Sequence, residues 1–127
     1  MKILILICMI FCHIVDDYYL QGWLATAKQK QWWKDNYPYS KYKHDYIMAL
    51  FMHSFSWTFM ITLPCHVAGV LSGADVVVLP LVFILNIMAH MFIDDLKANK
   101  LKINLIQDQV MHLIQIIITW FCYTGGE

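Results

Sequence analysis

Residues 76–93 read VVVLPLVFILNIMAHMFI, an apolar run broken by one proline, one asparagine and one histidine. A helix needs about 20 mostly apolar residues to cross a bilayer. Together with the residues at its two ends, this run predicts a membrane-spanning helix over about 75–94.

The composition of the whole chain agrees with a protein that is solvated by lipid. Of its 127 residues, 60% are hydrophobic and 14% are charged, and the mean hydropathy is +0.54. Soluble domains are usually about half apolar. The formal net charge is zero, so the chain has no global basic field that would attract nucleic acid, and we expect no such partner.

Three further segments are apolar enough to be membrane spans, over about 3–20, 46–67 and 108–123. Pro64 and Gly69 suit the end of the second of these spans. The sequence therefore predicts an all-α, polytopic membrane protein. Residues 1–127 form a single domain of four transmembrane helices.

Lysines are concentrated in two of the three connections between the predicted spans. The first connection carries Lys28, Lys30, Lys34, Lys41 and Lys43 among tryptophans and tyrosines, and the last carries Lys97, Lys100 and Lys102. The connection between spans two and three has no lysine. Lysine excess marks the cytoplasmic side of a membrane, so both Lys-rich loops should be cytoplasmic. The first is long enough for a helix lying at the interface.

Each of three spans carries a histidine and an aspartate four residues apart. The pairs are His13/Asp17, His90/Asp94 and Asp108/His112, and the third runs in reverse order. Four residues is a little over one helical turn, so both members of a pair lie on one helix face. Ionisable groups are costly within a membrane and usually mark a functional site there.

The predicted topology places the three pairs at one depth. Spans one and three run toward the cytoplasm and span four runs back, so the reversed order of Asp108 and His112 keeps each aspartate nearer the cytoplasmic interface. In span two, His53 falls at a comparable depth, and Gln21 continues the face of the first pair by another turn. We therefore expect one shallow polar layer shared by four helices.

We expect a divalent cation to offset the cost of burying the charged groups of this layer. The candidate ligands are imidazoles and carboxylates: His13, Asp17, His53, His90, Asp94, Asp108 and His112. Such a mixture suits zinc, manganese or iron, and the number of ligands allows two ions. We expect zinc or manganese, with Asp17, Asp94 and Asp108 as catalytic carboxylates and Gln21 in support. Hydrogen bonds that join helices, or an ion pathway, are the alternatives.

These motifs resemble those of a family of small bacterial and phage membrane proteins catalogued as domain of unknown function 3307. The matching positions on the first, third and last helices are His13, Asp17, Tyr18 and Gln21 with Lys28 or Lys30, then His90, Asp94 and Lys97, then Asp108, Gln109 and His112. Asp16 departs from the pattern, because family members often have glycine there. The resemblance implies a helical protein of the bacterial inner membrane, with Lys97 and Gln109 supporting the ligands, and implies no settled activity.

Three classes of function fit these features. The first is a metal-dependent hydrolase acting on a lipid or phosphoester at the cytoplasmic interface. The second is an oligomeric ion or proton channel or transporter, although the outer half of the spans offers few polar groups. The third is a regulatory or defence-related membrane protein whose Lys- and aromatic-rich loop binds a partner. The expected partners are the lipid bilayer, a lipid-like substrate and further copies of the chain.

Overall fold

A computed structural model of the chain describes residues 1–73 and 79–125, and all the regular structure in these residues is helical. This confirms the all-α prediction. The α-helices are α1 (Lys2–Val15), α2 (Leu24–Ala27), α3 (Lys30–Asn36), α4 (Asp45–Leu71), α5 (Pro80–Ala98) and α6 (Leu105–Thr124). A π-helical segment, Asp16–Leu20, continues α1, and a 3-10 turn, Ser40–Tyr42, precedes α4.

The four long helices form an antiparallel bundle. Helix α4 packs between α1 and α5, and α6 closes the ring by packing against α5 and α1. The Trp120 indole N–H donates to the carbonyl of Lys2 at 2.9 Å, which joins the end of α6 to the start of α1. An apolar core is buried inside the ring and consists of Met9, Trp57, Ile61 and Ile116.

Within the described residues, three helical stretches are long and apolar enough to cross a membrane, by length and composition: Lys2–Leu20, Ser40–Leu71 and Leu105–Thr124. The sequence predicted a fourth. Every 18-residue window of helix α5 includes Asp94, Asp95 and Lys97, which makes the helix too polar by this measure. Its predicted beginning at Asp75 and the valines that follow lie outside the described residues.

Helix α4 continues beyond the predicted end of its span, with Pro64 inside the helix and Gly69 two residues before its last residue, Leu71. A proline inside a helix leaves the carbonyl four residues earlier without its helical partner. Here Ile61 lies in the buried core, and Cys65 packs against that core beside Met9. Packing therefore holds the helix on both sides of the proline, and it runs on to Leu71.

Helix α6 begins one turn before the predicted span because Asn104 caps it. The Asn104 side-chain oxygen accepts from the backbone N–H of Gln107 at 2.9 Å. The Gln107 side-chain oxygen accepts from the backbone N–H of Asn104 at 3.0 Å. This reciprocal pair satisfies two N–H groups at the helix start. It places Asp108 inside the first turn, facing the bundle.

The predicted interfacial segment between the first two long helices contains the short helices α2 and α3. Gly22, with φ of 53°, makes the turn that leads into α2. The side chain of Asn99, at the end of α5, then clamps the link between α2 and α3. It donates to the carbonyl of Lys28 at 3.1 Å and accepts from the N–H of Lys30 at 2.6 Å. The clamp fixes Lys28 at this end of the bundle.

Truncation of a core isoleucine should destabilise the bundle far more than truncation of a surface isoleucine on the same helix. Ile116 is fully buried, whereas Ile118 is 58% exposed. We expect Ile116→Ala to lower the free energy of unfolding by about 2–4 kcal/mol, through lost packing and the cavity left behind. Ile118→Ala makes the same change in helix propensity and should cost less than about 1 kcal/mol. Unfolding in detergent measures both, and equal losses would contradict this packing.

Candidate metal centre

Six ionisable side chains from four helical segments converge at one end of the bundle. Three are imidazoles and three are carboxylates: His53, His90, His112, Asp17, Asp94 and Asp108. Asp17 projects from the π-helical segment that continues α1, and the others project from α4, α5 and α6. All but Asp17 are fully buried, and the side chain of Asp17 is 9% exposed.

His53 is the centre of one half of this group. Its Nε2 atom lies 3.2 Å from Nε2 of His90 and 3.2 Å from Oδ1 of Asp17. It also lies 3.4 Å from Oδ2 of Asp94. Two bare ring nitrogens repel at this distance, so the His53–His90 contact requires a shared proton or a cation.

His112 is the centre of the other half. Its Nε2 atom lies 3.3 Å from Oδ1 of Asp94 and 3.4 Å from Oδ1 of Asp108. His90 and Asp94, one turn apart on α5, approach to 3.7 Å. The predicted pairing along α5 and along α6 is therefore present, and the helices bring these two pairs together with Asp17 and His53 in one layer.

The spacing of these atoms is compatible with ligands around a metal ion. With metal–ligand bonds of about 2.0–2.1 Å, tetrahedral ligand atoms lie about 3.4 Å apart and octahedral neighbours about 3.0 Å apart. The contacts of His53 and His112 just described span 3.2–3.4 Å. Among the described residues, Nε2 of His112 and Oδ1 of Asp108 are buried and have no hydrogen-bond partner. A cation between them would satisfy both atoms.

Two groups in the layer have the proximity needed to hold an ion: Asp17 with His53 and His90, and His90 with Asp94 and His112. Both use His90, and an imidazole Nε2 has a single lone pair. This one atom therefore cannot serve as a ligand in both groups. Asp94 can join them, because its Oδ2 faces His53 and its Oδ1 faces His112. The layer could thus hold one ion or two, with Asp94 among the residues that would hold them.

His13 was predicted as a ligand, but the structure does not bring it into either group. Its Nδ1 accepts the indole N–H of Trp57 at 2.8 Å. The neutral ring therefore carries its proton on Nε2, which donates to Oε1 of Gln109 at 3.0 Å. Gln109 in turn donates to Oδ2 of Asp17 at 3.3 Å and of Asp108 at 3.0 Å. His13 and Gln109 therefore orient two carboxylates of the layer.

Lysines neutralise two of the carboxylates. The Lys97 ammonium lies 2.7 Å from Oδ2 of Asp108. Lys97 was expected to support a ligand, and Asp108 is one of the predicted ligands. The Lys28 ammonium lies 2.6 Å from Oδ2 of Asp94. The family pattern left Lys28 and Lys30 as alternatives, and the structure selects Lys28. Gln21 donates to the backbone carbonyl of Asp17 rather than to its carboxylate.

Sequence reasoning missed Trp57, which contacts the layer, and Asp16 also lies beside it. Trp57 stacks on the His90 ring with centroids 4.2 Å apart, and its position one turn after His53 was the available signal. Asp16 is buried, accepts from the Ser56 hydroxyl at 2.7 Å, and lies 3.8 Å from Nδ1 of His53. Asp16 and Asp17 are neighbours in the sequence, and both carboxylates face the interior of the bundle.

The layer carries an excess of buried negative charge. With neutral histidines, the carboxylates of Asp16, Asp17, Asp94 and Asp108 and the ammonium groups of Lys28 and Lys97 sum to −2. Uncompensated charge is very costly in a low-dielectric interior. With these neutral histidines, one divalent cation would bring the formal charge of the layer and Asp16 to zero, whereas a proton shared by His53 and His90 would offset half of it.

The fold and the layer define a small all-helical bundle protein with a candidate metal centre between its helices. A family model described as "Protein of unknown function (DUF3307)" matches residues 5–126, and the chain belongs to this family. The resemblance of the sequence motifs is thereby confirmed. No curated protein and no solved structure matches the chain.

The ion pair of Lys28 should matter for stability in the metal-free protein, unlike a similar pair at the surface. Lys28→Met would leave the buried Asp94 carboxylate without its ammonium partner, so we expect a loss of about 3 kcal/mol in the free energy of unfolding. The matched control is Lys100→Met, whose exposed pair with Asp95 should be worth less than about 1 kcal/mol. Unfolding in a chelator measures both. Equal losses would show that Asp94 does not depend on Lys28.

Proposed function

We propose that this chain is an integral membrane protein whose buried His/Asp layer is a divalent metal centre, and that it hydrolyses a lipid or another phosphoester at the cytoplasmic face of the bacterial inner membrane. The observation that carries the proposal is the spacing of the ring nitrogens of His53 and His112 from the surrounding ligand atoms, 3.2–3.4 Å throughout. Residues 1–127 act as one domain, with α1, α4, α5 and α6 crossing the bilayer.

The membrane placement is supported by the outer surface of the bundle. Helix α5 lies between α4 and α6, and its outward face carries exposed Leu81, Ile84, Leu85, Met88 and Phe92. Apolar groups on this face suit lipid contact better than water. The Lys-rich segments lie at the same end of the bundle as the layer, since Lys28 and Lys97 reach it. Lysine excess favours the cytoplasmic side for that end.

The donor set favours zinc or manganese. It combines imidazoles with carboxylates and includes no thiolate, and this mixture suits borderline and hard divalent ions. The proposed ligands are Asp17, His53, His90, Asp94, Asp108 and His112. Asp94 would contribute to either ion, because its two oxygens face His53 and His112. His13, through Gln109, holds the Asp17 and Asp108 carboxylates in place.

A bound divalent ion would lower the pKa of a coordinated water toward about 7 and so supply a hydroxide at neutral pH. Asp17 is placed to act as the general base. Its Oδ1 faces His53. Its Oδ2 accepts a hydrogen bond from Gln109 and keeps a further lone pair that would take the proton from the attacking water. The same carboxyl then returns that proton to the alkoxide released from the ester. Asp94 and Asp108 hold the reaction centre as ligands.

A groove beside the layer supports a lipid as the substrate. It has a volume of about 510 Å³, lies between α1 and α6, and is lined by Ile10, His13, Ile14, Tyr18, Tyr19, Gln109 and Leu113. Its aliphatic walls suit an acyl chain that enters from the side. Its polar base is formed by His13 and Gln109, which hydrogen-bond to each other. An ester bond held there would lie next to the Asp17 carboxylate.

An ion or proton transporter is the second candidate, because buried polar groups continue beyond the layer. The sequence predicted few polar groups in the half of the bundle away from the layer, and this prediction was wrong. The Gln115 amide donates to Oδ1 of Asn86 at 2.8 Å, and the Thr119 hydroxyl donates to the same oxygen at 3.0 Å. Thr58 and Thr62 are also buried. Conduction through an oligomer would use these groups as a path along the bundle.

Metal content separates the two candidates. We expect the purified protein to hold one or two divalent ions per chain, and a His90→Ala/His112→Ala double variant to hold none, because it loses two converging ring nitrogens. His66→Ala is the matched control, since His66 contacts Tyr123 at the other end of the bundle. Elemental analysis of monodisperse protein measures all three. A metal-free wild-type protein that conducts ions in liposomes would favour the transporter.

The hydrolase proposal predicts a specific loss of turnover at Asp17. Zinc- or manganese-loaded protein in liposomes should release alcohol or acid from membrane lipid esters, detected by mass spectrometry. Asp17→Asn removes the general base and should lower the rate by about 10²–10⁴-fold. Asp35→Asn alters an exposed carboxylate that hydrogen-bonds to Gln31 and should leave the rate unchanged. Turnover that survives both chelation and Asp17→Asn would rule out this mechanism.

A further inference from the structure

A second pocket lies in the segment between the first two long helices, away from the His/Asp layer. It has a volume of about 390 Å³, and its lining includes three lysines and a group of aromatic rings: Lys30, Lys34, Lys43, Trp33, Tyr37 and Tyr42. No acidic residue lines it. We call it the basic aromatic pocket.

The aromatic wall of this pocket is well packed. The Trp33 and Tyr42 rings stack with an interplanar angle of 20°, and Tyr37 contacts both, with centroids 5.7 Å from Trp33 and 5.3 Å from Tyr42. The Trp33 indole also donates to the carbonyl of Ala27 at 2.6 Å, which ties α3 to α2. The wall is therefore held in place before any ligand binds.

The three lysines of the pocket lack carboxylate partners. Within residues 1–73 and 79–125, Lys28, Lys97 and Lys100 each form an ion pair, whereas Lys30, Lys34 and Lys43 form none. The Lys30 ammonium lies instead over the Tyr46 ring, 5.7 Å from its centroid. Three ammonium groups around a cavity without an acid create a positive field that selects an anion.

We propose that the basic aromatic pocket binds the phosphate of an anionic phospholipid headgroup. The pocket lies beside the start of α4, at the end of the bundle where the proposed spans meet the cytoplasmic interface. Lysines attract anionic headgroups there, and tryptophan and tyrosine rings suit the boundary between headgroups and acyl chains. The ammonium groups hold the phosphate, and the rings pack against the glycerol. This inference rests on the proposed membrane placement and is independent of the metal centre.

The test is a titration of delipidated protein in detergent with phosphatidylglycerol or phosphatidylcholine, read by native mass spectrometry. We expect one saturable phosphatidylglycerol per chain and no such site for phosphatidylcholine. Lys34→Gln/Lys43→Gln should weaken this binding by about tenfold or more. Lys100→Gln/Lys102→Gln removes the same charge outside the pocket and should leave the affinity unchanged. Both lysines of the site variant are exposed, so it should fold normally.

Three results would overturn the proposal: no saturable phosphatidylglycerol, equal weakening in the two double variants, or displacement of the lipid by an equal concentration of inorganic phosphate. The second would indicate diffuse charge attraction, and the third a site for free phosphate. Metal content measured on the same samples distinguishes failure of the lipid site from failure of the metal centre. A protein that binds metal without a saturable lipid overturns only the lipid site, and the reverse result overturns only the metal centre.

Discussion

Burial of the Asp94 carboxylate between α4, α5 and α6 is the constraint on which the rest of this end of the bundle depends. One of its oxygens faces His112, and the other faces both His53 and the Lys28 ammonium. A buried carboxylate is tolerated only with opposite charge and hydrogen-bond donors around it. The Asn99 clamp holds the α2–α3 link so that Lys28 can reach Asp94. The short helices therefore position Lys28 beside Asp94 as well as connecting α1 to α4.

The layer is also fixed from its other side by a directed chain of hydrogen bonds. An indole N–H can only donate, so Trp57 sets the tautomer of His13, and His13 sets the orientation of the Gln109 amide. The remaining Gln109 N–H groups then face the Asp17 and Asp108 carboxylates. Gln109 thus holds Oδ2 of Asp17 and Oδ2 of Asp108 in position. The Oδ1 atom of each aspartate points toward a histidine, His53 or His112. Such prior positioning is what a metal centre requires of its supporting residues.

Helical periodicity predicted the parts of this arrangement that lie within a single helix. The spacing of His90 and Asp94 and the reversed order of Asp108 and His112 were enough to expect one shared layer. Contacts between helices could not be predicted in the same way, because pairing across a bundle depends on rotation and depth. For this reason the sequence did not show that the Trp57 indole donates a hydrogen bond to Nδ1 of His13, which makes this nitrogen unavailable to a metal ion. The burial of Asp16 depends on its contacts with Ser56 and His53 of α4, and the passage of α4 through Pro64 depends on packing.

X-ray absorption spectroscopy at the metal edge of the purified protein tests the central claim most directly. The account predicts a nitrogen and oxygen shell at about 2.0–2.1 Å from the metal, with the outer-shell scattering of at least two imidazoles. His112→Ala should remove part of that imidazole scattering, because Nε2 of His112 faces both Asp94 and Asp108. A shell of water oxygens alone, or a thiolate sulfur at about 2.3 Å, would contradict a metal centre built from this layer.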